Sequence, residues 1–462
     1  MLQVEKSQIE KLKSSIEGRI ILPEDVDYDK ARTIWNAMID RKPAIIVQCG
    51  SAEDVPPAIH FAKEKGLELS VRGGGHHIAG NSIVDNGLTI DFSMMRKVKV
   101  DPQKKRATVE PGATLGDFDK ATQVHGLATP TGINSTTGIA GLTLGGGFGW
   151  LTRQYGLTID NLVSADIVTA DGEQLTLSKT QNTDLFWAIR GGGGNFGVIT
   201  RFEFELYDIG TKTFGGLIVF PFEQVRKVLN RYREFAKSAP LELNVWIVVR
   251  HAPPLPFLPE EIHNKMVVVL PVFYNGDLRK GENLVNYLRK FGNPLGEHVG
   301  RQPYVQWQQA FDPLLTPGAR NYWKSHNFTE ISDGLIDAII KFAGTMPTLQ
   351  TEIFLGMLSG VANEVPVEAT AYAARDAKFV VNVHGRWVEP IEDQKCVSWA
   401  REFFEATRSY ASGGAYVNFM TEDEKDRISA AYSSNYQRLM ELKTKYDPDN
   451  LFHMNQNIKP QN

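Results

Sequence analysis

The chain has 462 residues, 42% hydrophobic and 23% charged, which are soluble globular values and exclude a disordered or fibrous protein. Lys and Arg number 50 against 54 Asp and Glu, so the net charge is −4 and there is no basic surplus for nucleic acid. Two cysteines, Cys49 and Cys396, exclude a disulfide framework or a cysteine zinc site. The length of about three ordinary domains allows one to three units. Glu5 and Lys6 fall where a signal peptide needs an apolar core, and no stretch approaches the ~20 apolar residues of a membrane span. The expectation is a cytoplasmic protein, monomeric or homodimeric, that engages neither membrane nor nucleic acid.

In chain order, residues 44–49 read as a strand. Ser51 with Asp54 forms a capping box for a helix that Gly66 ends, and 67–71 is the next strand. This β-α-β unit runs directly into Arg72-Gly73-Gly74-Gly75-His76. Strands over 88–92 and 106–110 follow, then a helix capped by Thr114 and Asp117 that ends near Gly126. Asp171-Gly172 joins two strands as a hairpin. Val198, Phe202, Phe204 and Leu206 alternate with Arg201, Glu203 and Glu205, the pattern of a half-buried antiparallel strand. From about residue 214 glycines thin out. Long strands are expected over 243–251, 266–274, 349–355 and 379–386, with helices over 282–291 and 393–410. The fold class is α+β, its second part an antiparallel sheet with helices on one face.

The 41 glycines concentrate in runs at 73–75, 145–147 and 191–194, as a backbone lying close against something requires. Gly192, Gly194 and Gly197 match the dinucleotide fingerprint, but a helix precedes them and a strand follows, the reverse of what that motif needs. The loop after residue 71 offers successive bare amides, a nest suited to phosphate. The uncharged, glycine-punctuated segment 129–149 suits an extended ligand. Together they point to one large phosphorylated cofactor, with tight turns in a glycine-rich fold as the alternative. His76 and His77 lack the spacing or carboxylate partner of a metal pair, so no metal is expected.

With these motifs on the page, the sequence resembles the berberine bridge enzyme-like branch of the vanillyl-alcohol oxidase/p-cresol methylhydroxylase flavoproteins. The match is carried by residues 71–76, 138–149, Tyr155-Gly156-Leu157, Asp160-Asn161, 184–197, Tyr416-Val417-Asn418-Phe419, 445–452 and 455–458. It implies a two-part FAD-binding domain of the p-cresol methylhydroxylase type over 1–210 (core about 39–209), a substrate domain over 211–412, and a segment 413–462 returning to the first. It also implies FAD bound covalently by a single bond through His76. The cofactor contacts it implies are Arg72, Gly73, Gly74, Gly75 and His77, then Thr137, Gly138, Gly141, Gly145 and Gly147, and finally Gly197, Val198, Asn455 and Asn457. Asn134 stands where doubly tethered relatives carry a cysteine, and Phe148 where plant relatives often carry tyrosine.

On the substrate side, a period of two puts Gln350, Glu352 and Phe354 on one strand face. The resemblance makes Gln350 and Glu352 candidate catalytic groups and Tyr416 the active-site tyrosine. An exposed polar face and a plain buried tyrosine are the structural alternatives. Residues 380, 382, 384 and 386 give a similar polar face with weaker support. The activity implied is an oxidase passing hydride from an alcohol, sugar or amine to the flavin and electrons to O2, with Glu352 or Tyr416 as the base. A dehydrogenase with another acceptor, or a flavin-binding protein without turnover, stays open.

Overall fold

The computed structural model describes residues 5–461. Its first sheet holds β1 (Arg19–Ile21), β2 (Ile45–Gln48), β3 (Leu69–Arg72) and β4 (Leu88–Asp91) in the order β1-β2-β4-β3, with β4 parallel to both neighbours. The helix Val55–Lys65 connects β2 to β3 and ends at Gly66, whose φ of +60° lies in the left-handed region. Only half of the expected capping box forms. The Asp54 carboxylate accepts the N–H groups of Gly50 and Ser51 and also those of Glu17 and Gly18, while the Ser51 hydroxyl has no partner.

The second sheet is antiparallel: β5 (Val98–Asp101), β6 (Arg106–Val109), β8 (Leu162–Val168), β9 (Gln174–Ser178) and β10 (Val198–Glu205), in the order β5-β6-β10-β8-β9. The short β7 (Leu127–Ala128) pairs with β11 (Tyr207–Asp208) beside it. Phe202 and Phe204 are buried as their alternation requires, and Arg201 pairs outside with Asp166.

The third sheet begins at Lys212. It comprises β12 (Lys212–Pro221), β13 (Leu243–Val245), β14 (Ile247–His251), β15 (Met266–Tyr274), β16 (Gly296–Pro303), β17 (Arg320–Phe328), β18 (Glu352–Met357) and β19 (Phe379–Trp387). The order is β16-β12-β15-β14-β18-β19-β17, with β13 on β15 and every pairing antiparallel. The helices Val225–Ala236, Leu278–Arg289, Asp333–Ala343 and Asp393–Thr407 pack on it, burying Tyr232, Leu288, Ile339 and Phe403. The strand expected over 243–251 is broken at Trp246, whose N–H bonds to Pro271 O. After residue 412 the chain returns to the earlier sheets, where Val417, Met420, Leu439 and Ile458 join one core with Phe186 and Phe196.

A buried polar contact joins the helix Leu115–Gln123, which packs against the second sheet, to the short helix Tyr304–Gln308 that follows β16 of the third. Gln308 Nε2 donates to Asp119 Oδ2 (3.0 Å), Thr131 Oγ1 (3.1 Å) and Gly132 O (3.1 Å). Asp119 is 1% exposed and burial pushes its carboxyl up to about 7. A carboxyl whose folded pKa exceeds its ordinary 3.8 stabilises the fold when protonated, and that contribution is lost as pH rises from about 4 through 7. At ~1.4 kcal/mol per unit the loss reaches roughly 4 kcal/mol. Asp119→Asn should therefore melt above the wild type at pH 8 and converge with it near pH 4. Parallel melting curves for the two proteins across this range would refute the assignment.

Candidate active site

A cavity of about 650 Å3 joins the end of β3 to the inner face of the third sheet, within the roughly 300–1,000 Å3 of ligand clefts. One end is bare backbone. The loops at Gly74 and Gly138 touch so closely that a Cβ on Gly74 would lie 2.3 Å from Gly138 N, and one on Gly138 would lie 2.4 Å from Gly74 N. Only glycine permits that approach. Gly141 and Gly194 line the cavity with open space where a side chain would begin. Asn455 reaches the same wall with its Oδ1 unpartnered.

His76 stands at the junction. Its ring stacks on Trp35 (5.1 Å, 22°), and its Nε2 and Nδ1 lie 2.9 and 3.4 Å from the hydroxyls of Thr136 and Thr137. Loss of solvation lowers its pKa to about 3, so the ring is neutral with a lone pair available. His77 is also desolvated, to about 4, with Nδ1 accepting the Ala79 N–H at 3.2 Å. Asn134 is buried nearby. Its Oδ1 accepts from Thr136 N and Oγ1, and its Nδ2 donates to Leu315 O at 3.4 Å. Cys49 and Cys396 are buried away from this wall, and burial raises both thiols.

The other end is aromatic, with Trp246, Trp323, Phe354, Phe148 and Phe419 on its walls. One row of side chains crosses four strands there, because Arg250 on β14, Glu352 on β18, His384 on β19 and Trp323 on β17 are direct cross-strand partners. Arg250 Nη1 donates to Glu352 Oε2 at 2.6 Å, and His384 Nδ1 lies 2.9 Å from Glu352 Oε1. Burial opposes ionisation of Glu352, but Arg250, His384 and Arg386 outweigh it and hold the carboxyl at about 2. Tyr416 Oη accepts the Gly147 N–H (3.1 Å) and the Asn418 Nδ2–H (3.0 Å), and burial pushes the phenol up to about 12.

Most of the residues singled out from the sequence line this cavity, with four exceptions. Gln350 is exposed and precedes β18. The strand starts only at Glu352, because Thr351 turns its hydroxyl to Thr348 and Arg386 O. Gln350 is therefore withdrawn from the site. Arg72 lies behind the loop, bonded to Ala31 O and 3.9 Å from Asp91. Gly147 acts through its N–H on Tyr416, and Asn457 lies off the wall. Arg250, Trp35 and Trp323 were not singled out, since only strand register and long-range packing bring them here.

Residues 43–178 match the FAD binding domain family and residues 415–459 the berberine and berberine-like family. An FAD-linked oxidoreductase of Bacillus subtilis is 32% identical, over 97% of this chain and 98% of its own. The (R)-6-hydroxynicotine oxidase of Paenarthrobacter nicotinovorans is 30% identical, again over 97% and 98%. The crystal structure of 6-hydroxy-D-nicotine oxidase from Arthrobacter nicotinovorans superposes with a TM-score of 0.86 at 29% identity, covering 97% of this chain and 99% of that one. The berberine bridge enzyme of Eschscholzia californica, 21% identical, shares the fold with a TM-score of 0.86 over 98% of both chains.

Proposed function

Because this chain belongs to the berberine bridge enzyme-like family of FAD-linked oxidoreductases, we propose that it is an oxidase, with FAD taking a hydride from the C–H of an alcohol or amine and O2 accepting the electrons to give H2O2. The observation that carries this reading is the continuity of one cavity from the glycine cradle and His76 to an aromatic-walled chamber with a buried, ionised Glu352. The backbone of Gly73 to Gly75 and of Gly138 to Gly141 would hold the pyrophosphate, and Asn455, whose Nδ2 donates to Phe452 O at 2.9 Å, keeps its Oδ1 free to accept from the flavin. The aromatic walls suit a flat, apolar substrate. A sugar, with hydroxyls all round, would leave most of them unpartnered here.

Aerobic incubation with aromatic alcohols, aromatic amines and oligosaccharides, read by peroxide release, tests the function. Peroxide from an aromatic compound is expected. Flavin bleaching without peroxide would assign a dehydrogenase, and no bleaching by any compound would assign a binding protein without turnover.

The attachment proposed is a single bond through His76, whose neutral ring is nucleophilic, while an Asn134 amide cannot replace a thiolate. Acid-precipitated protein should stay yellow, and His76→Ala should release its flavin. A colourless wild-type pellet would overturn this.

A further inference from the structure

We propose that the proton acceptor of this site is His384 Nε2, with Glu352 acting on it as a positioning residue. The inference rests on the oxidase reading above and names a residue for the proton that the hydride transfer leaves behind.

Geometry fixes the tautomer. Glu352 is ionised and salt-bridged to Arg250, so its Oε1 can only accept from His384 Nδ1 at 2.9 Å. In the neutral ring the proton therefore sits on Nδ1 and the lone pair on Nε2. Nε2 is buried, has no hydrogen-bond partner, and belongs to a side chain on the cavity wall. A buried polar atom left unpaired costs about 1–3 kcal/mol, and in this position it is free for a substrate O–H or N–H. Trp323 stacks on one side of the ring at 4.6 Å, Phe354 lies at 5.8 Å, and the edge of Phe419 is 6.4 Å away. The ring cannot swing without losing these contacts. Through Trp323 and Trp35 the packing continues to the ring of His76, which ties this end of the cavity to the cofactor end.

The alternatives are weaker acceptors. A carboxylate held at about 2 by Arg250, His384 and Arg386 has little affinity for a proton near neutral pH, and a phenol at about 12 is already protonated there. His384 Nε2, by contrast, carries a lone pair with no partner on the cavity wall. In the step itself the substrate O–H (or N–H) bond breaks and its proton forms a bond to Nε2. The electron pair left behind makes the C=O or C=N bond, and the C–H hydrogen leaves with its own pair to the oxidised flavin. The imidazolium so formed faces Glu352 across the Nδ1–H bond, which offsets its charge, as the aspartate does in a Ser-His-Asp triad. The charged and titratable groups around the ring are Glu352 on β18, Arg250 on β14, Arg386 two residues along β19, and Tyr416 on the closing segment.

The test has two arms on the holoprotein. First, ¹⁵N resonances of the histidine side chains, with His384 assigned by its loss in His384→Gln, should show a neutral ring protonated on Nδ1 at pH 8. A ring protonated on Nε2, or charged at that pH, overturns the proposal. This arm needs no turnover, so failure of the oxidase reading leaves it intact. Second, with any compound that bleaches the flavin anaerobically, His384→Gln should slow the reduction roughly 10²–10⁴-fold at unchanged flavin content. It should also abolish the acid-side fall in the rate, and Tyr416→Phe should keep that fall. A His384→Gln protein that folds, binds flavin and reduces within tenfold of wild type with the same pH profile would return the role to Glu352. If His384→Gln loses its flavin, His384→Asn, which keeps a polar group on the strand, replaces it in both arms.

Discussion

Glu352→Gln should lower the rate of substrate-driven flavin reduction by about 10²–10⁴-fold while the flavin content stays at the wild-type level. The carboxylate has two bonds to keep, one from Arg250 Nη1 and one from His384 Nδ1. A glutamine offers one oxygen and one NH2 group. If its oxygen faces His384, its NH2 is pushed against Arg250, and if it is flipped, the NH2 forces His384 to accept on Nδ1 and to carry its proton on Nε2. Either arrangement removes the negative charge that a protonated His384 would face. The cofactor end, built from the loops after β3 and around Gly138, is untouched. Anaerobic stopped-flow measurement decides the matter: near-normal reduction in Glu352→Gln would remove this residue from proton transfer in any role.

Lys443→Met should destabilise the protein by about 3–5 kcal/mol, the usual result of breaking a buried ion pair on one side. Lys443 and Asp447 are both 0% exposed and 2.6 Å apart. The ammonium also donates to Asn195 O (2.8 Å) and Phe452 O (2.9 Å), while the carboxylate accepts the N–H groups of Leu451 and Phe452. Without the lysine, Asp447 is left as a buried charge at the root of the loop that carries Asn455 to the cavity. Thermal melts of Lys443→Met, Asp447→Leu and the double variant form a cycle. The double variant should lose less than the two singles added together, and simple additivity would show that the pair is not coupled.

The parts of this site that are legible in the sequence are local ones. The glycine run after β3, its histidine and the Gly138 segment are contiguous, and their chemistry is written in residues that no ordinary turn needs. The rejection of the Gly192–Gly197 fingerprint holds for the same reason, since the helix Thr183–Ile189 precedes it and β10 follows. Glu352 is visible as a charge on an apolar strand, but its partners are 102 and 32 residues away and depend on register between β14, β18 and β19. Gln350 fails because alternation was carried two residues past the start of β18. β17 escapes notice because Arg-Asn-Tyr-Trp-Lys-Ser-His-Asn-Phe reads as polar; its Lys324 is buried against Asp423 and Glu424 of the returning segment, a pairing no local pattern reveals.

That returning segment sets an order of events. The cavity wall near Gly73 and His76 is made early in translation, yet Tyr416, Phe419, Phe452 and Asn455 complete it. Until the segment from Tyr416 to Asn455 has been made, the pocket is open on that side and Asn195 O lacks its ammonium partner. Domains generally fold as units while the chain emerges, but here the nascent first half is a half-built vessel. A chain cut at about residue 414 is therefore expected to lack one wall of the cavity and to hold flavin poorly, however much is supplied.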